Sequence, residues 1–229
     1  MEFFRGFNEI VFPSRCISCS ILGFSLCAQC LSIWSYQTFS QKLSQESNEK
    51  LLVFSSISYS PIARDILLAA KESNVVQAGT LIIDALENTL QKFIEQHPSL
   101  SISGLVPIPS RPQANRVRGR DFMQTITQSL AKKFQIPMLP ILGYSRRVKD
   151  QSGLNSEERR NNLTDSLVVR GNVFKSENQA VLLIDDLVTT GATLLAAEKA
   201  LNQAGIRAIG AVTACVAQPL RYGGGRAPF

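Results

Sequence analysis

Apolar positions along this chain follow two rhythms, one of period two and one close to 3.6. Leu51–Tyr59 alternates and carries Val and Ile, which favours a strand. Pro61 then fits the first turn of a helix running to about Glu72. A second amphipathic helix follows, with Leu81, Ile82, Ala85, Leu86, Leu90, Phe93 and Ile94 at helical spacing. Ser103–Pro109 reads as a buried strand, Phe122–Phe134 as a helix and Met138–Leu142 as a short strand. Residues 143–162 show no useful period and are crowded with polar groups, and a loop of that length is usually functional or mobile. Strand character resumes at Leu167–Val169 and Ala180–Asp185; Thr193–Ala204 is a helix ended by Gly205, and Ile206–Val216 holds the last strand. Strands alternating with helices predict an α/β fold, a mostly parallel sheet flanked by helices, with ligands at the strands' carboxyl ends.

Residues 181–193 carry the candidate chemistry. Val181, Leu182, Leu183 and Ile184 run into Asp185 and Asp186, and after Leu187 and Val188 come Thr189, Thr190, Gly191, Ala192 and Thr193. This reads as a buried strand delivering two carboxylates to a loop that opens a helix. Unpaired amides, hydroxyl donors and the positive end of a helix dipole suit a phosphate. The carboxylates suit sugar hydroxyls or a divalent cation. Together they describe a pocket for a ribose 5-phosphate. A plain strand–turn–helix connection needs one threonine cap, not two carboxylates and three threonines.

A chain of 229 residues, 45% apolar and 18% charged, fits a globular domain with a substantial core and a small appendage. No apolar run approaches the roughly 18 residues of a membrane span. The start, with Glu2 and Glu9 and no basic n-region, does not read as a secretory signal, so the cytoplasm is the expected compartment. Net charge is +6, and it is concentrated: eleven Lys and Arg stand against four Asp and Glu between Arg111 and Arg160. Such a window suits a diphosphate or a nucleic acid, or is simply a solvated face.

Four of the five cysteines sit near the start as Cys16-x2-Cys19 and Cys27-x2-Cys30, with Gly23 available for a tight reversal. Two such knuckles can gather four thiolates on one tetrahedral ion, so the expectation is structural Zn2+. A disulfide framework and an iron–sulfur cluster are the rivals. Cys215, in an apolar run, reads as core, and His97, beside Pro98 at a helix end, as solvated. The resulting division is a metal module over 1–35, a polar linker over 36–50, an α/β domain over 51–217 and a flexible tail over 218–229.

The stretch 181–193 resembles the motif of type I phosphoribosyltransferases, which bind 5-phosphoribosyl-1-diphosphate (PRPP). The order of the cysteine pairs, a lysine-bearing helix, LVPIPSR, an Arg-rich segment and QSGLNSEERRNN is similar to the ComF family across nearly the whole chain. That resemblance implies a PRPP site at Asp185, Asp186 and Val188–Thr193, with Mg2+ accompanying PRPP. It implies a pyrophosphate side formed by the turn at Ser110 and Arg111, by Arg159 and Arg160 on a mobile loop, and by Lys71. The loop pattern is carried by Gln151, Leu154, Arg159 and Asn162. Transfer of the ribosyl phosphate to a nitrogen acceptor of the nucleobase kind is implied, as is a link to DNA uptake. Single-stranded DNA or the uptake machinery are then the implied partners, and the alternatives are a PRPP-binding regulator without turnover and a nucleic-acid-binding accessory of DNA uptake. The family's Arg-Gly-Phe-Asn-Gln segment is altered here at Asp121 and Met123.

Overall fold

The computed structural model describes residues 14–44, 50–73, 75–110, 119, 121–145, 167–171 and 180–217. Its centre is a five-stranded sheet in which β2 (Leu51–Ser58), β7 (Arg207–Val216), β6 (Ala180–Val188) and β3 (Gly104–Pro107) lie side by side and parallel. A fifth strand, β1 (Phe39–Leu43), adds antiparallel to β2, with Leu43 opposite Leu51. A separate antiparallel pair joins β4 (Leu142–Tyr144) to β5 (Leu167–Val169).

Helices cover both faces. Side chains alternate along β6, so Leu182 and Ile184 enter one apolar cluster while Val181 and Leu183 enter another. The first cluster packs against α2 (Pro61–Glu72), α3 (Val76–Gln96) and α4 (Phe122–Phe134). The second packs against α5 (Ala192–Gln203) and takes in Leu142 and Leu167 from the β4–β5 pair. A sheet buried on both sides explains why β6 reads as a continuous apolar run rather than an alternating one.

The helix starts follow local chemistry. Ser60 accepts a hydrogen bond from Ala63 N (3.1 Å) and Pro61 supplies the fixed φ of the first turn of α2. Asp121 accepts from Gln124 N (3.2 Å) at the start of α4, and Met123 is buried beside Phe122 in the core. The residues that depart from the family segment are thus a helix cap and a core side chain. Asp121→Ala is expected to cost about 1 kcal/mol through the lost cap, lowering the thermal unfolding midpoint by roughly 2–4 °C.

Three expectations are corrected. The segment 36–50 is not only linker: Phe39–Leu43 forms the edge strand β1, whose one covered face leaves its sequence mostly polar. The short strand placed at Met138–Leu142 begins instead at Leu142. Pro137 and Pro140 cannot donate to a ladder, and Met138 makes only a single parallel bridge to Leu105. His97 is not simply solvated. It is half-buried, its ring centroid 4.8 Å from that of Phe93 and 5.6 Å from that of Phe54. Among the described residues, no single helix is long and apolar enough to cross a membrane.

Candidate functional site

Strand β6 does not stop before its carboxylates. Asp185, Leu187 and Val188 pair with Thr213, Cys215 and Val216 of β7, so both acids sit on the strand rather than on the loop. Adjacent positions point to opposite faces, and Asp186 continues the Leu182–Ile184 row toward the layer formed by α2, α3 and α4. There it is buried and forms an ion pair with Lys71 at the end of α2. Asp185 is half-buried, and its Oδ1 accepts from Asp186 N (2.9 Å).

Burial and then the neighbouring Asp186 carboxylate push the Asp185 carboxyl well above its ordinary range, with Lys71 opposing. A raised value means that the folded chain binds more protons than the unfolded one in the window above the ordinary 3.8. Stability therefore falls as pH rises through that window. Asp185→Asn is expected to raise the thermal midpoint at neutral pH, with the gain disappearing below pH 3.8. An unchanged or lowered midpoint at neutral pH contradicts this account.

The loop beyond β6 brings Thr189 and Thr190 to the surface and Gly191 to the start of α5. Gly191 adopts φ +77°, the left-handed region, and is buried against Leu43 of β1. Ala192 N approaches Thr190 Oγ1 at 3.4 Å, and Gly191 O accepts from Leu195 N at 3.0 Å. The first turn of α5 starts directly beside the exposed Thr189 and Thr190, and the N-terminus of a helix is suited to an anion. Strand β3 runs beside β6, with Pro107 opposite Ile184 and Ile108 N bonded to Ile184 O (2.9 Å). Ser110 therefore lies at the same carboxyl edge as Asp185. Arg111, Arg159 and Arg160, like Gln151, Leu154 and Asn162, lie outside the described residues, as does the tail over 218–229.

The four N-terminal cysteines come together. Their Sγ atoms lie within 4.8 Å of one another, and Cys19 Sγ is 3.6 Å from Cys27 Sγ. A tetrahedral zinc with Zn–S near 2.3 Å sets sulfurs about 3.8 Å apart, so the cluster fits that ion. The backbone builds the knuckles. Cys16 N bonds Ile21 O (2.8 Å), Gly23 turns with φ +91°, and Cys27 N points at Cys16 Sγ (3.5 Å). Cys27 also caps the short helix α1 (Ala28–Ile33) by accepting from Cys30 N (3.5 Å). Burial raises the Cys16 thiol, but backbone donors from Cys27, Cys19 and Ser18 outweigh it and bring it down to about 6. Burial, then the neighbouring sulfurs, push Cys30 up to about 12.

The module is fastened to the α/β body. Ser18 Oγ donates to Asp65 Oδ2 (2.8 Å), Ile62 packs against the cysteines, and Trp34 is buried in the main core. Helix α2 thus touches the cysteine module near its start and the acidic pair at its end.

Two contacts at the site escape sequence reasoning. Lys71 meets Asp186, and Leu43 buttresses Gly191. The first had a faint signal, a basic residue directly after the buried Ala70 on a helix that covers the sheet. The second had none, because β1 has no strong pattern of its own.

Comparison with known proteins points to relatives in one family of domains. The family described as "Phosphoribosyl transferase domain" matches residues 125–224. The chain is 26% identical over 212 residues to "Competence protein F" of Haemophilus influenzae, covering 90% of this chain and 91% of that protein. Among solved structures, an adenine phosphoribosyltransferase is similar at 14% identity with a TM-score of 0.43, over 78% of this chain and 85% of that one. The adenine phosphoribosyltransferase of Saccharomyces cerevisiae, at 14% identity and TM-score 0.42, covers 77% and 83%.

Proposed function

We propose, from the premise that the chain carries a phosphoribosyl transferase domain with a ComF-like arrangement around it, that it binds PRPP with Mg2+ and transfers the ribosyl phosphate to a nitrogen acceptor. One observation carries this reading: the acidic pair lies near the carboxyl end of β6, and the short connection after Val188 leads directly into α5 at Gly191.

The 5-phosphate would sit on the first turn of α5, held by its amides and by Thr189, Thr190 and Thr193. Asp185, with Asp186 beside it, would present carboxylate oxygen to the ribose 2- and 3-hydroxyls. Ser110, with Arg111, Arg159 and Arg160, would face the diphosphate. The oxygen-only donors of the pair fit a hard cation, and magnesium bound with the diphosphate would spread the charge of the leaving group. Holding the sugar at both ends sets its anomeric carbon for displacement of pyrophosphate, where charge develops on the ribose. A nucleobase nitrogen is the acceptor class proposed. The relative's name links it to competence, and on that basis a partner in DNA uptake is proposed for this chain.

A second reading, a PRPP-binding regulator without turnover, draws on the altered segment, where Asp121 is spent on a helix cap and Met123 on the core. Calorimetry with PRPP and magnesium tests binding. Wild type is expected to release heat and Asp185→Asn to give none while remaining folded; a silent wild type at millimolar ligand removes the proposal. Pyrophosphate release in the presence of nucleobases then separates the enzyme from the regulator.

A further inference from the structure

The two carboxylates of the pair are held differently. Asp186 faces the layer of α2, α3 and α4, and its side chain is 7% exposed. Lys71, 27% exposed, reaches it from the last turn of α2. A carboxylate buried at this depth is costly unless a partner of opposite charge answers it. Asp185 is half-buried, and no ion pair involves it among the described residues. Without Lys71, two adjacent negative charges would stand beside the α5 turn at which a sugar phosphate must arrive. With it, the pair carries a single net negative charge.

Resting on the reading above, we propose that the pair divides its work: Lys71 is a positioning residue that neutralises Asp186 and fixes it against α2, leaving Asp185 as the carboxylate that meets the ribosyl phosphate. Asp186 then supports affinity through the charge it shares with Lys71 rather than through contact with the sugar. The electrostatic consequence is specific. Lys71→Met leaves the pair doubly negative and repels an anionic ligand. Adding Asp186→Asn returns the net charge to that of wild type.

The test measures binding of ribose 5-phosphate, and of PRPP with magnesium, to the full chain by calorimetry below every variant's unfolding midpoint. Lys71→Met is expected to weaken both ligands about tenfold, consistent with losing one close charge partner. Lys71→Arg should stay near wild type. Lys71→Met with Asp186→Asn should recover most of the loss, because the second change removes the charge that the first exposed. The double variant also buries no unpaired charge, so it serves if the single one fails to fold. Wild-type affinity in folded Lys71→Met overturns the inference. So does a double variant at least as weak as the single one, since Asp186 would then be contacting the ligand itself. A wild-type chain that binds neither ligand is a separate failure, which removes the PRPP reading and this inference with it.

Discussion

Gly191→Ala is expected to damage both the fold and the phosphate loop. The residue holds φ +77°, a conformation that costs an L-residue about 1–2 kcal/mol. A β-carbon there would also stand 2.2 Å from Leu43 Cδ1 and 2.9 Å from Cδ2. Leu43 is itself buried at the end of β1, so relief requires its side chain to turn into the packed core around it or the edge strand to shift. Overpacking of this kind adds about 1–3 kcal/mol. The sum, ~2–5 kcal/mol, should lower the thermal midpoint by roughly 5–15 °C for a chain of this size. Affinity for ribose 5-phosphate should fall about tenfold or more, since the first-turn amides of α5 are displaced along with the glycine. A companion variant separates strain from clash. Adding Leu43→Ala to Gly191→Ala removes the steric conflict and leaves the strained φ, so it should restore part of the midpoint. An unchanged midpoint and affinity in Gly191→Ala would show that Leu43 does not buttress the loop.

The same glycine shows what a sequence can and cannot disclose. The TTGAT loop is legible because its chemistry is local: hydroxyls, a permissive backbone and a helix start lie within five residues. Helices α2 and α4 match their expected ends at Pro61, Phe122 and Phe134 for the same reason, each having its cap one residue upstream. Strand β6 is longer than its apolar run suggests. The acids end the hydrophobic pattern at Ile184, but the ladder to β7 continues to Val188, because backbone pairing does not depend on side-chain polarity. Contacts between distant segments leave no such trace. Lys71 and Asp186 are brought together by the sheet and its helical cover, and nothing in the sequence of either stretch pairs the two. Strand β1 is hidden because an edge strand needs only one apolar face, and FSQKL offers little periodicity to find.

Loss of metal from the cysteine module is expected to have the largest effect on the N-terminal region. The purified chain should carry one zinc per molecule, and Cys30→Ala should lower that content sharply. The four sulfurs are the shared anchor of two knuckles whose backbone is otherwise held by hydrogen bonds such as Cys16 N to Ile21 O and Ile17 N to Ser25 O. Structural zinc contributes on the order of 10 kcal/mol to small thiolate sites, more than a module of this size can replace by apolar burial. The chain contains a single tryptophan, Trp34, which directly follows α1 and is 4% exposed in the main core. Chelation should therefore shift its emission to the red as the module loosens, while far-ultraviolet dichroism from the α/β body changes little. The loss should also depend on pH. Backbone donors favour the thiolate at Cys16, while burial and the neighbouring sulfurs favour the thiol at Cys30. Zinc must displace the protons that the thiols hold, so affinity rises with pH and falls as the cluster takes up protons in acid. Stripping at pH 5 should need far less chelator than stripping at pH 8, and restoring zinc at the higher pH should return the blue emission. Trp34 emission that ignores both chelator and pH would show that the docking contacts of Ser18, Ile62 and Trp34 hold the module without an ion.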